Sequence, residues 1–182
     1  MLKNYQKYFI LILSGLLLNL AFAPFNFYLV AYIFFIPVLF SIEKSSPKEN
    51  FLGGLLFGFI FISTFQLWLF SLSAWAPWPF IFLIWLLYSL YFAFFYGLTF
   101  YLSASLLQNK WFASTKALKF LILPLIWILL EYLRKLGPIG HPGGIIGYSQ
   151  TSNLPILQLA SIFGVLGISF FGIYTIYRNR EY

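Results

Sequence analysis

Six stretches of this chain, residues 8–23, 27–42, 51–73, 80–107, 118–133 and 154–177, run apolar over close to the length of a bilayer crossing. A helix of about 20 predominantly apolar residues traverses roughly 30 Å of hydrocarbon. Inside hydrocarbon no water pairs with backbone N–H and C=O groups, so a crossing segment satisfies them along its own helix. This predicts an all-α, polytopic membrane protein with about six transmembrane helices, the 182 residues forming a single integral membrane domain. Only 8% of the residues are charged, against roughly a quarter in a soluble domain.

The interruptions mark the helix ends. Pro24, the run SIEKSSPKEN, the Pro77-Trp78-Pro79 cluster and the polar QNKWFASTK each break hydrophobicity with residues that stop helices. No internal repeat or linker is evident. Trp75, Trp78 and Trp111 fall where aromatic side chains cap spans at the interface. The 24 phenylalanines follow the residue preferences of an A/T-rich genome, and no single one carries functional weight.

The net charge of +7 is spread over short loops, which suits anionic lipid headgroups and excludes a nucleic-acid stripe. With the N-terminus in the cytoplasm, Lys3, Lys7, Lys44, Lys48, Lys110, Lys116, Lys119, Arg178 and Arg180 fall inside, nine of the eleven basic residues. Arg134 and Lys135 remain outside. A cleavable signal peptide ending in Ala21-Phe22-Ala23 is the competing reading of the N-terminus. Cleavage there would have to cut the bond to Pro24, so a retained first helix is expected. Cysteine is absent, so these residues hold no disulfide, thiolate metal site or cysteine nucleophile.

One stretch does not read like the rest: EYLRKLGPIGHPGGIIGYSQ, residues 131–150. It forms a Gly/Pro-rich outer-face loop between the fifth and sixth helices, too short to cross and too rich in glycine and proline to stay helical. Glu131 and Arg134, at i and i+3, share a helix face and can pair, either as a structural ion pair or as a clamp presenting the Arg134 fork to a phosphate or carboxylate. His141, the single histidine, suits hydrogen bonding or general-base work and makes a poor metal site alone. Gly143 and Gly144 serve either close approach of a ligand to backbone or tight turns. Tyr148, Ser149 and Gln150 either cap the next helix or touch a headgroup. Gly53, Gly54 and Gly58, like Gly164, Gly167 and Gly172, are expected to let helices pack closely, and Gln66 to hydrogen-bond between helices.

The order Glu131-Tyr132-Leu133-Arg134, Gly140-His141-Pro142, Gly147-Tyr148-Ser149-Gln150 and then ILQLASIFGVLGISF resembles the membrane domain of bacterial apolipoprotein N-acyltransferases. In that family an E-F-L-R run leads to a G-F-P-W loop, a G-Y-S-Q segment and a helix with Q-L-A and G-V-x-G. The N-terminal SGLLLNLAFAPFNFYLVAYIFFIPVLF is similar to the family's first two helices. The loop departs from the pattern at His141-Pro142-Gly143, which lacks two aromatics.

The resemblance implies acyl transfer from a phospholipid to the N-terminal amine of a diacylated lipoprotein, in the bacterial inner membrane. It also implies a thioester on a cysteine of a nitrilase-like domain, served by a glutamate and a lysine. A cysteine-free chain is then expected to be a truncated or split product, the lipid-docking half, inactive by itself unless a separately encoded nitrilase-like domain joins it. Glu131, Arg134, His141, Pro142, Gly143, Tyr148 and Gln150 are the candidate substrate-binding residues, with no catalytic residue, metal or cofactor expected. Two rivals stand beside this reading. A small transporter or channel would line a path with Glu131, Arg134 and His141, yet these cluster at one edge and not mid-membrane. A transferase acting on lipid-linked substrates would use Glu131 or His141 as base and needs a second acidic group or metal on the same side.

Overall fold

A computed structural model describes residues 4–179, with the side chains at 4, 41–44, 113–114 and 116–117 left aside. Lys3 and Arg180, counted above for orientation, lie outside the described residues, as do the side chains of Lys44 and Lys116. The regular structure there is helical throughout: α1 (Asn4–Asn19), α2 (Val30–Ile33), α3 (Phe35–Lys44), α4 (Pro47–Phe65), α5 (Trp78–Leu107), α6 (Lys110–Ser114), α7 (Lys116–Arg134), α8 (Leu154–Gln158) and α9 (Ala160–Asn179). Two 3₁₀ segments, Leu67–Ala74 and Ile146–Gln150, follow α4 and precede α8.

Local chemistry sets the starts. Ser46 accepts from the Glu49 N–H while the Glu49 carboxylate accepts from the Ser46 N–H, a reciprocal cap, and Pro47 occupies the first turn where its missing N–H costs nothing. The Asn109 side chain caps α6 by accepting from the Trp111 N–H at 2.9 Å.

Three helical stretches are long and apolar enough to cross a membrane: Pro47–Ala74, Trp78–Leu107 and Ala160–Asn179. The other three expected crossings differ for separate reasons. The helix α1 stops at Asn19, whose side-chain amide donates to Thr64 Oγ1 at 2.7 Å. The segment at 27–42 is divided into α2 and α3, and α7 carries Lys116 and Lys119 at its start and Glu131 and Arg134 at its end.

Contacts between helix ends fix how the rods alternate. Gln108 donates to the Ser45 carbonyl at 2.8 Å, bringing the end of α5 beside the start of α4. Tyr177 meets Phe120 with ring centroids 5.8 Å apart, so the end of α9 lies beside the start of α7. Lys7 on α1 lies against Gly53, near the start of α4. Lys7, Lys48, Lys110, Lys119 and Arg178 therefore gather at one end of the bundle, while Arg134 and Lys135 sit at the other.

The core is aromatic. Phe57 stacks on Phe34 at 5.8 Å and on Phe100 at 5.7 Å and meets Tyr96 edge-on at 5.6 Å. These rings are fully or almost fully buried, so several phenylalanines that composition alone left without weight form the contact between the α2–α3 junction, α4 and α5. Glycine allows it: a Cβ at Gly54 would lie 2.5 Å from the Tyr96 carbonyl oxygen, and one at Gly58 would lie 2.7 Å from the Tyr96 side chain. This is close packing by small residues in the absence of a hydrophobic drive between helices.

Two sequence expectations are corrected here. Gly164 is not a packing glycine: nothing lies within 4 Å of a Cβ placed there, and its φ of 69° breaks the run of α9 in a left-handed conformation that favours glycine. Gln66 makes no interhelical bond: it stands at the C-terminal cap of α4, and its buried amide has no hydrogen-bond partner among the described residues.

Gly54→Ala is expected to lower folded-state stability by about 1–3 kcal/mol through overpacking against backbone. Gly172→Ala, where the nearest atom to the new Cβ is Tyr32 Cε1 at 3.4 Å, is expected to be tolerated. Thermal unfolding of both variants in the same detergent measures the difference.

Candidate functional site

The loop of residues 135–145 folds back over the end of α7, and Glu131 holds it there. One carboxylate oxygen, Oε1, accepts from Trp127 Nε1 at 3.0 Å and from the Ile146 N–H at 2.9 Å. Trp127 lies one turn earlier on α7, so its indole and the carboxylate share a face. Ile146 opens the second 3₁₀ segment, so a single oxygen ties the far end of the loop to the helix from which it departs. At 3% exposure water does not compete for this oxygen.

Arg134 is 2% exposed, and its three guanidinium nitrogens have no hydrogen-bond partner among the described residues. The expected direct ion pair with Glu131 does not form. Glu131 Oε1 is engaged by Trp127 and Ile146, while the guanidinium lies over aromatic faces, its Cζ 5.8 Å from the Phe92 centroid and 5.6 Å from that of Tyr96. Both residues still line one cavity of about 10 Å³ with Tyr96 and Trp127. That volume suits about one water molecule. A headgroup phosphate reaches Arg134 only if the loop moves.

Above this layer the loop is a succession of tight turns. The His141 N–H donates to the Arg134 carbonyl at 3.2 Å, and the Tyr88 hydroxyl donates to the Ile139 carbonyl at 3.1 Å. Gly144 has a φ of 73°, and a Cβ there would lie 2.9 Å from the Phe61 ring, so both conformation and space call for glycine. The Gly147 N–H donates to Ser169 Oγ at 2.9 Å, and a Cβ on Gly147 would run into the Val165 carbonyl of α9. Gln150 is buried: its Oε1 accepts from the Tyr32 hydroxyl at 3.1 Å, and its Nε2 donates to the Tyr28 carbonyl at 3.2 Å.

The seven candidate residues thus fall into two layers. Glu131, Arg134 and Gln150 lie beneath, buried; Pro142 and Tyr148 are exposed, and His141 and Gly143 are half-buried. Trp127, Ser169, Tyr32 and Tyr88 were not singled out from sequence, although Trp127 at four residues before Glu131 and a serine inside the apolar α9 were available signals. The His141 ring stands 6.2 Å from Tyr88 and 6.3 Å from Phe92. Burial pushes its pKa below the ordinary histidine value, and the positive charge of Arg134 adds to the effect. Among the described residues no three His, Asp or Glu side chains converge to hold a metal ion.

Comparison with known proteins shows the family. The family described as the apolipoprotein N-acyltransferase N-terminal domain matches residues 14–175. The apolipoprotein N-acyltransferase of Geobacter metallireducens is 30% identical over 169 residues, covering 91% of this chain and 31% of the relative. That of Coxiella burnetii is 34% identical over 161 residues, covering 87% and 32%. Apolipoprotein N-acyltransferase 1 of Treponema denticola is 33% identical over 141 residues, covering 77% and 23%. The chain spans about a third or less of the length of these relatives.

Two outcomes follow from the loop geometry. Glu131→Ala removes the acceptor from two buried donors, each worth about 1–3 kcal/mol when left unpaired, so amide exchange at Ile146 should accelerate; Glu131→Gln retains an oxygen and should restore protection at that amide. Because His141 has a folded pKa below its unfolded value, the unfolded loop binds more protons as pH falls below about 6.5. Loop stability is then full above that pH and declines below it. Hydrogen exchange over residues 139–147 at a series of pH values, corrected for intrinsic rates, should show this decline, and His141→Gln should flatten it.

Proposed function

The chain belongs to the apolipoprotein N-acyltransferase family, and on that premise we propose that residues 1–182 dock the phospholipid acyl donor and the diacylated lipoprotein acceptor at the outer face of the bacterial inner membrane. The carrying observation is the two-layered loop: Glu131 and Gln150 anchor it from below through three hydrogen bonds, to Ile146, Tyr32 and Tyr28, leaving Pro142 and Tyr148 exposed above. In this reading Tyr148, Pro142, Gly143 and His141 meet substrate, while Glu131, Arg134 and Gln150 position them. A rigid backing shell is what such a site needs, since side chains that bind must not pay to be ordered.

The same proposal gives the chain about six passages with a cytoplasmic N-terminus. The gathering of five described basic residues at the end opposite the loop supports that orientation. It leaves bond chemistry elsewhere: with no cysteine among its 182 residues, this chain offers no thiol to carry an acyl group as a thioester. The acyl-carrying thiol is assigned to a nitrilase-like region outside these residues, whether on the same polypeptide or another. Transport is the weaker reading, because the charged residues of the site lie at one end of the bundle and the cavity between Glu131 and Arg134 is about 10 Å³.

The test uses the purified chain in phospholipid vesicles with a diacylated lipopeptide. The lipopeptide should bind, and no N-acylated product should form on prolonged incubation. Tyr148→Ala should weaken binding several-fold with unchanged thermal unfolding, since Tyr148 is 42% exposed and its hydroxyl makes no hydrogen bond among the described residues. Turnover by the chain alone, or unaltered binding by Tyr148→Ala, would sink the proposal.

A further inference from the structure

We propose that a cleft between α4 and α5, at the basic end of the bundle, is a binding site for an anionic phospholipid, with an acyl chain along Phe51, Leu52 and Leu98 and the phosphate at Lys48 and Tyr101. These five residues line an open cleft of about 430 Å³, within the range of small-molecule sites. Its wall is almost entirely apolar, and Leu52, at 56% exposure, opens it sideways to the hydrocarbon that surrounds the bundle. Gly97 shapes the inner side: a Cβ there would lie 3.0 Å from Phe51 Cε2, so the missing side chain lets the Phe51 ring lie close to α5.

The headgroup end is defined by charge. Lys48, the second residue of α4, is exposed and makes no hydrogen bond or ion pair among the described residues. Its neighbour Glu49 is committed to the Ser46 N–H at 3.1 Å and to the electrostatic company of Lys7. The ammonium at the mouth of an apolar cleft is therefore without a counter-ion among the described residues. Tyr101 is 39% exposed, its amphipathic ring suited to headgroup level. A lysine at this level attracts an anionic headgroup, while a zwitterionic lipid, of no net charge, gains little.

This site is independent of the outer loop. His141 lies against Tyr88 and Phe92, and Tyr101 is nine residues beyond Phe92 on α5, about 14 Å along the helix. The two sites thus occupy opposite halves of the bundle, and failure of one reading leaves the other standing.

The experiment reconstitutes the full chain in vesicles of equal phosphatidylglycerol and phosphatidylethanolamine, extracts it into mild detergent and counts retained lipid by native mass spectrometry. Wild type should retain phosphatidylglycerol in preference. Lys48→Gln should lower that adduct about fivefold, and Leu52→Trp, which fills the cleft, should lower retention of both lipids, with thermal unfolding of each variant unchanged. Lys110→Gln should leave the adduct as it was. Equal loss in Lys110→Gln would mean diffuse charge without a site, and displacement by millimolar glycerol phosphate would mean a soluble anion. Either result, or an unchanged adduct in Lys48→Gln, overturns the proposal.

Discussion

A single carboxylate oxygen joins the helical bundle to the loop that covers it. Glu131 Oε1 takes one hydrogen bond from its own helix, through Trp127, and one from the backbone 15 residues ahead, at Ile146. Trp127 in turn meets Phe35 and Tyr96 edge-on, so the bond that closes the loop also sets the ring around which α3, α5 and α7 pack. A buried carboxyl group is costly to desolvate, and two donors together with the neighbouring Arg134 charge reduce that cost. Loop position and core packing are consequently coupled through one side chain.

Around this tie the molecule follows the demands of hydrocarbon. Helices satisfy their own backbone, and the segments that are not helical occur at bundle ends or are pinned by side chains. Ser169, Gln150 and Tyr88 each bond loop backbone or a loop side chain. Glycine marks the points where two backbones approach: Gly54 beside Tyr96, and Gly147 beside Val165.

Much of this was readable in the amino-acid string. The fourth apolar run, at 80–107, stands within α5 at Trp78–Leu107, because a long apolar run between Pro79 and Gln108 satisfies its backbone best as one helix. The stretch 131–150 was recognisable as the unusual one, and its motif order pointed to the family that the comparisons show. What misled was pairing. A glutamate and an arginine three residues apart suggested mutual contact, yet Glu131 found a backbone N–H and an indole, and Arg134 found two aromatic faces. Gln66, expected to bond across helices, found no partner, and Gly164, expected to pack, turned the chain.

The sequence by itself determined that the chain is helical, apolar enough for a membrane and free of cysteine. It also determined that its charges separate along the chain and that one glycine-rich loop stands apart. Each is a local property, set by the hydropathy, backbone freedom and order of neighbouring residues. The tertiary structure alone decided which loop residues lie outward, that Arg134 is sealed beneath them, that Lys48 borders a cleft, and that five basic residues from separate helices share one end. Those outcomes depend on competition among groups distant in sequence for the same few buried partners, and spacing along a chain does not encode who wins that competition.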